Sequence, residues 1–265
     1  MSGIGNFLNG APATPEALAR LAATGFGHFT TMQVRAGGVA GLDLHLARLE
    51  HATRVLFDAE LAPEAVRAHL RTALGEAADA SVRIAVTACN WSAREMPGPA
   101  RIETLIRVSA PAAAAATPVR LRSVVHAHYL PQIKHGGNFD LLDLRRRARA
   151  AGYDDALLLD RDGHVSEGPT WNLGVVSGDT LLWPQAEQLD GVTMRLLSHV
   201  WAGAGGAVVQ RPLHLAEIRE PDAVFCCNSA GVWPVASIDG NALAAPGAGF
   251  ARVCGALVRV PMQAI

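Results

Sequence analysis

The alternation of apolar and polar positions divides the chain into two patterned stretches. In the first, Thr30–Val39 reads as a β-hairpin turned at Gly37-Gly38. Leu42, Leu46, Leu49 and Leu56 then recur at helical spacing, which predicts a helix over 42–56 with one apolar face. A second helix is expected over 63–74, and Ser81–Cys89 and Arg101–Ser109 alternate as strands. In the later stretch the pattern predicts a strand over 119–127, a helix over 138–151 and a strand over 156–160. Asp162-Gly163 turns the chain into a further strand ending at Glu167. A hairpin over 173–183 bends at Ser177-Gly178-Asp179, and a helix over 192–201 follows. The strands 223–227 and 232–238 flank the tight segment Asn228-Ser229-Ala230-Gly231.

Between the two stretches lies SAPAAAAATP, residues 109–118, the one low-complexity tract in the chain. It reads as a linker, giving a small α+β domain over 1–108 and a larger domain over 119–265 that carries Lys134. A chain of 265 residues can bury a substantial core in this two-part form.

Composition narrows the function classes. Half of the residues are hydrophobic and 18% are charged, yet no apolar run approaches the roughly 18 residues that a membrane helix requires. The opening MSGIGNFLNG lacks the basic and apolar regions of a secretory signal, so a cytoplasmic location is expected. A net charge of −1, without a basic stripe, gives no field to attract nucleic acid. Cys89, Cys226, Cys227 and Cys254 match neither a zinc-site nor a disulfide spacing and are expected to be mostly buried thiols.

Lysine usage is more informative. Lys134 is the single lysine, so the other 22 of the 23 basic residues are arginines (23 − 1 = 22). Arginine bias alone can reflect a GC-rich genome. But an amine can shed its proton and attack a carbonyl, which a guanidinium cannot, so a lone lysine suggests Schiff-base chemistry. It sits between an extended segment and Gly136-Gly137, with Asn138 placed to cap the following helix. Glu167 could hold a pyridine nitrogen protonated, or could be an ordinary loop carboxylate. Gly191-Val192-Thr193 opens a helix with donors suited to a phosphate, and Asn228 and Ser229 could form a second nest. Arg48 could add a guanidinium fork. Each also has an ordinary reading as a cap, a turn or a solvated helix residue.

The order of the motifs carries more than any one of them. LNG at 8–10, GxFTT at 27–31, HLARL at 45–49, IKHGGN at 133–138, GHVSEGPTWNLGVV at 163–176, LDGVTM at 189–194 and NSAGVWPV at 228–235 together resemble the class IV aminotransferases. That family includes branched-chain and D-amino acid transaminases and 4-amino-4-deoxychorismate lyase. The resemblance implies the pyridoxal 5′-phosphate fold type IV: a small α+β domain, a larger mostly-β domain, a cofactor site between them, and assembly as a homodimer. It further implies that Lys134 forms the Schiff base and shuttles a proton, and that Glu167 pairs with the pyridine nitrogen. Arg48, Val192, Thr193 and Asn228 or Ser229 would form the phosphate cup.

Several positions depart from the transaminase pattern. Phe139 stands where many members have tyrosine, Phe29-Thr30-Thr31 replaces a glutamate-containing motif, and Met194 stands where arginine is common. Phe-Thr-Thr, IKH and Cys227-Asn228 are similar to the lyase branch. The reading that follows is amino transfer from a small amino acid to a 2-oxo acid. The alternatives are a lyase that releases pyruvate, with Thr30 or Thr31 relaying a proton, and an inactive relative that only binds the cofactor.

Overall fold

A computed structural model describes residues 4–115, 117–218 and 220–265, so the first three residues of the opening segment and residue 116 of the expected linker lie outside the described residues. The chain runs through β1 (Gly5–Leu8), β2 (Ala11–Pro12), α1 (Pro15–Ala23), β3 (His28–Arg35), β4 (Gly38–Ala40), α2 (Leu42–Phe57) and α3 (Pro63–Leu74). It continues through β5 (Ala80–Ala88), β6 (Ile102–Ser109), β7 (Val119–Val125), α4 (Phe139–Ala150), β8 (Asp155–Leu159), β9 (Glu167–Gly168) and β10 (Trp171–Ser177). The last elements are β11 (Thr180–Pro184), α5 (Val192–Gly203), β12 (Ala207–Arg211), β13 (Ala223–Asn228), β14 (Gly231–Ile238), β15 (Asn241–Ala242), α6 (Ala248–Val258) and β16 (Met262–Ala264). Both helices and sheets are present, as an α+β chain requires, and none of the described helices is long and apolar enough to cross a membrane.

Two compact units emerge, and neither is continuous in sequence. The first comprises the chain up to Ala112 together with Ile133–Gly137 and Pro261–Ile265; the second comprises Ala113–Gln132 and Asn138–Val260. The expectation that Lys134 belongs with the later stretch is therefore corrected. Its short segment is bonded to β3: the Phe29 amide donates to the Lys134 carbonyl at 2.9 Å, and the Gly136 amide donates to the Gly27 carbonyl at 2.7 Å. The crossover is anchored too, since the Ala112 amide donates to Gln33 Oε1 at 2.9 Å and Arg35 donates to the Ala112 carbonyl at 2.7 Å.

The first unit is an antiparallel seven-stranded sheet in the order β16-β4-β3-β5-β6-β1-β2. Alternation along β3, β5 and β6 sends Met32, Val34, Val82, Ile84, Val86, Ile106 and Val108 to one face, where Leu42, Leu46, Leu49, Val66 and Leu70 of α2 and α3 cover them. The LNG motif has a local cause. Asn9 and Gly10 both take positive φ, 49° and 84°, in the two-residue turn of the β1–β2 hairpin. On the core face of β3, Thr30 Oγ1 and His45 Nδ1 share a 2.6 Å hydrogen bond. His28 Nε2 lies 3.0 Å from Thr53 Oγ1, whose own proton goes to the Leu49 carbonyl at 2.8 Å. His28 must therefore donate from Nε2.

The second unit is built on a nine-stranded mixed sheet with the path β12-β11-β10-β13-β14-β7-β8; β9 pairs with β10 and β15 with β14. Strand β10 is apolar on both faces because both are covered. Leu173 and Val175 join one core with Leu121, Val224 and Cys226, while Val176 joins another with Phe225, Cys227, Leu197 and Val253. The expected strand over 164–167 shortens to the pair Glu167–Gly168. Asn138 occupies the N-cap position of α4, but its side chain makes no capping hydrogen bond there. Cys226 and Cys227 are buried and burial pushes both thiols up, whereas Cys89 and Cys254 are only partly buried.

Burial lowers His28 to about 4. Burial lowers His45 to about 3, with Arg48 and Lys134 adding charge repulsion. Both rings stay neutral in the fold while the unfolded chain protonates them near about 6.5. The unfolded state then binds more protons between about pH 6.5 and 4, so stability falls as pH falls through that window. Each ring contributes up to about 1.4 kcal/mol per pH unit there. Urea midpoints measured from pH 7 to 5 should decline, and His45→Gln should make the decline shallower; an unchanged slope would mean that His45 titrates normally.

Candidate functional site

The residues expected to carry chemistry fall into two sets, one in each unit. Thr30, Thr31, Arg48 and Lys134 belong to the first; Glu167, Val192, Thr193, Asn228 and Ser229 belong to the second.

In the first set, the edge of β3 beyond its pairing with β4 is taken up by the Lys134 segment, through the two bonds above and a bridge between His28 and His135. On the side facing β5, position 27 requires glycine. A Cβ there would come within 2.6 Å of the Val86 carbonyl oxygen. Strand alternation then separates the two threonines. Thr30 is buried on the core face with His45, while Phe29 and Thr31 project from the other face. Lys134 Nζ lies 5.0 Å from the centroid of the Phe29 ring, and the Arg83 guanidinium lies 3.4 Å from the same centroid. Lys134 therefore shares its face with Thr31 rather than with Thr30. Arg48 lies on α2, close enough to His45 for its charge to lower that ring's pKa.

In the second set, Glu167 and Asn172 are directly opposed across the β9–β10 pair, and both are buried. They grip the main chain of one residue, Leu189. The Leu189 amide donates to Glu167 Oε1 at 3.1 Å, and Asn172 Nδ2 donates to the Leu189 carbonyl at 2.8 Å. Two residues further on, Gly191 is the N-cap of α5 and offers no side-chain cap. A Cβ on Gly191 would meet Asn172 Oδ1 at 2.0 Å, so glycine is required for the loop to lie against the asparagine. The first-turn N–H groups, those of Val192 and Thr193 among them, have no acceptor within the helix and suit an anion.

Asn228 and Thr193 act differently from expectation. The Thr193 hydroxyl donates to the Asn228 carbonyl at 2.8 Å, and the Asn228 side chain binds the Ala230 amide and the Thr170 carbonyl. The Thr193 side chain thus joins the turn between β13 and β14 to the start of α5, and the Asn228 side chain ties that turn to Thr170 before β10, leaving backbone amides as the donors of that region. Ser229 and Ala230 are the two residues of the turn. Met194 packs into the core beside Leu197 and Phe225, which accounts for an apolar residue there. Phe139 is 85% exposed at the start of α4.

Several contributors were not visible in the sequence. Asn172 reads there as a polar interruption of an apolar strand. Arg145 binds Asp155 through two bonds of 3.0 and 2.9 Å and reaches Thr170 Oγ1 at 2.7 Å; Trp171 Nε1 donates to Asp155 at 2.8 Å. This network fixes the segment that follows Glu167. His128 Nε2 lies 3.6 Å from Glu167 Oε1. The first unit supplies a lysine, and the second a buried carboxylate and an uncapped, glycine-led helix terminus; each is a group of the type that suits part of a phosphorylated pyridine aldehyde.

Comparison with known proteins agrees. The family described as Amino-transferase class IV matches residues 27–238, and its members depend on pyridoxal phosphate. A mitochondrial branched-chain-amino-acid aminotransferase of Arabidopsis thaliana is 32% identical over 103 residues, which is 37% of this chain and 27% of the plant protein. The chain thus matches well under half the length of such curated relatives. The branched-chain aminotransferase of the thermophilic archaeon Thermoproteus uzoniensis, solved with norvaline, superposes with a TM-score of 0.86 over 97% of this chain and 94% of that one at 20% identity. The 4-amino-4-deoxychorismate lyase of Pseudomonas aeruginosa gives 0.78 at 28% identity, covering 95% of this chain and 97% of the lyase. With the fold type IV architecture and a family match over most of its length, the chain belongs to the class IV aminotransferases.

Proposed function

We propose that the protein transfers an amino group from a small amino acid to a 2-oxo acid, with Lys134 as the residue that binds pyridoxal phosphate covalently and moves the proton. The observation that carries this reading is the only lysine of the chain, clamped by backbone bonds to β3 with its amine beside Phe29. When bound, the cofactor supplies a protonated pyridine ring that delocalises the electron pair left by the departing α-proton. Lys134 Nζ would hold the cofactor covalently and, as the amine free to shed its proton, would be the group that carries the α-proton during transfer. Glu167, held by Leu189, keeps the ring nitrogen protonated. Arg48 and the amides of Val192, Thr193 and Ser229 hold the phosphate.

The same reading makes the active form a homodimer in the cytoplasm. Supporting it, Val125, Tyr129, Phe139 and Leu142 are large apolar residues exposed on the second unit, and all four cysteines are free thiols.

A second reading is favoured by one observation. Thr31 lies on the Lys134 face of β3, where its hydroxyl could deliver a proton during elimination, and the lyase from Pseudomonas aeruginosa is the more similar of the two solved structures in sequence. In that case the protein would act as a 4-amino-4-deoxychorismate lyase and release pyruvate.

Borohydride treatment of the pyridoxal phosphate-loaded protein should fix the pyridoxyl group on Lys134 alone, as peptide mapping would show; a label elsewhere would overturn the assignment.

Glu167→Gln should retain that label while turnover falls by about 100-fold or more, the scale of one lost preorganised electrostatic contribution. Turnover near that of the parent would leave Glu167 without its proposed role.

Amino transfer to 2-oxo acids and pyruvate release from aminodeoxychorismate separate the two readings. The first expects amino transfer without pyruvate, and a Thr31→Val variant within a few-fold of the parent. Pyruvate release that disappears in Thr31→Val, yet persists in a folded Thr30→Val, would establish the lyase instead.

A further inference from the structure

The loop that leaves β7 carries two histidines, His126 and His128, opposite Asp140 in the first turn of α4, all within the second unit. One ring nitrogen from each histidine and one oxygen of Asp140 lie within 4.8 Å of one another. The backbone beneath them is fixed, because the His126 amide donates to the Leu159 carbonyl at 2.9 Å. Asp140 is oriented as well, with Oδ1 accepting from the Leu141 amide at 2.9 Å and Oδ2 turned toward His126.

How these groups approach one another is informative. His126 Nε2 and Asp140 Oδ2 are 3.0 Å apart, yet buried Nε2 makes no aligned hydrogen bond. A hydrogen-bonded ion pair would align the N–H with the oxygen. Two ligands of one small cation instead sit about this far apart while both aim at a common point beside the line joining them. The imidazole rings stand perpendicular, at 86° with centroids 4.8 Å apart, so they are not stacked on each other.

A second group of the same residue types behaves otherwise. Asp160, Asp162 and His164 also lie within ligand distance of one another. There, however, Asp160 Oδ1 accepts from the Asp162 and His164 amides, and Oδ2 is hydrogen-bonded to His164 Nδ1 at 3.1 Å. Those bonds account for the cluster as a turn.

We propose that His126, His128 and Asp140 form a binding site for a divalent transition-metal ion of the zinc type. Two neutral imidazoles and one carboxylate are a donor set that such ions favour over magnesium or calcium, and an open coordination position would be filled by water. An ion there would engage His128, which lies 3.6 Å from Glu167 Oε1, so occupancy would act on the surroundings of that carboxylate.

The test is calorimetric titration of the full-length, pyridoxal phosphate-loaded protein with zinc chloride after chelator treatment, with bound metal counted by elemental analysis. One saturable zinc per chain is expected. Loss of a ligand should weaken it by more than about 100-fold, since even outer partners of a metal site are worth 10–100-fold. His126→Ala and Asp140→Asn should both show this, and His164→Ala should not. Asp140 is half exposed, so its variant should fold whether or not His126→Ala does. Absence of saturable zinc binding would overturn the proposal, as would binding that survives Asp140→Asn or is lost in His164→Ala.

Discussion

Much of the second unit's candidate site depends on one residue, Leu189, whose main chain is held at both its N–H and its carbonyl. Its N–H goes to Glu167 and its carbonyl receives Asn172. These two residues face each other across the β9–β10 pair, so their spacing is set by the sheet. The loop before α5 is thereby tied to a rigid element, and the helix terminus two residues on inherits that placement. A carboxylate that bonds to this backbone is also fixed in orientation, which a catalytic carboxylate needs more than it needs mobility. Beneath it, Arg145, Asp155 and Trp171 brace the same strand region with charge-assisted bonds, stronger than neutral ones in a partly buried setting.

The first unit reaches its arrangement by a different route. Lys134 is fixed through main-chain bonds, and its side chain is left to the face of β3 that carries Phe29. The opposite face of that strand is closed by α2 and α3, with the Thr30–His45 bond buried inside it. Adjacent threonines therefore have unrelated environments. Alternation in a strand requires only that they differ; the apolar stripe of Met32 and Val34 decides that Thr30 turns inward.

Elements that bury one clear face were legible in the sequence. Helix α2 announces itself through Leu42, Leu46 and Leu49, and β5 and β6 through strict alternation. The elements that escaped notice lack such a face or give it a weak signal. Helix α1 buries none of its residues, β12 is exposed throughout, and α6 contains Gly249 and Gly255, which weaken any helical signal. Among the candidate residues, Lys134 stood out because nothing else in the chain shares its chemistry, and the other candidates came from the order of the motifs. Asn172, Arg145 and Asp155 could not be found that way. Their partners lie 10 to 25 positions away and are set by sheet register, which no local pattern encodes. The assignment of Lys134 to the later domain failed for the same reason, since a five-residue excursion to β3 leaves no compositional trace.

That excursion bears on how the chain must be made. A ribosome releases residues in order, and the first unit is incomplete when its initial continuous stretch has emerged. The free edge of β3 waits for Ile133–Gly137, and β4 waits for β16 at Met262–Ala264, which follows the whole of the second unit in sequence. Until then, strand edges with unpaired amides and carbonyls are open to other chains. Final closure of the early sheet is thus a late event in synthesis, and no single cut would divide the polypeptide into two fragments that each hold a whole unit.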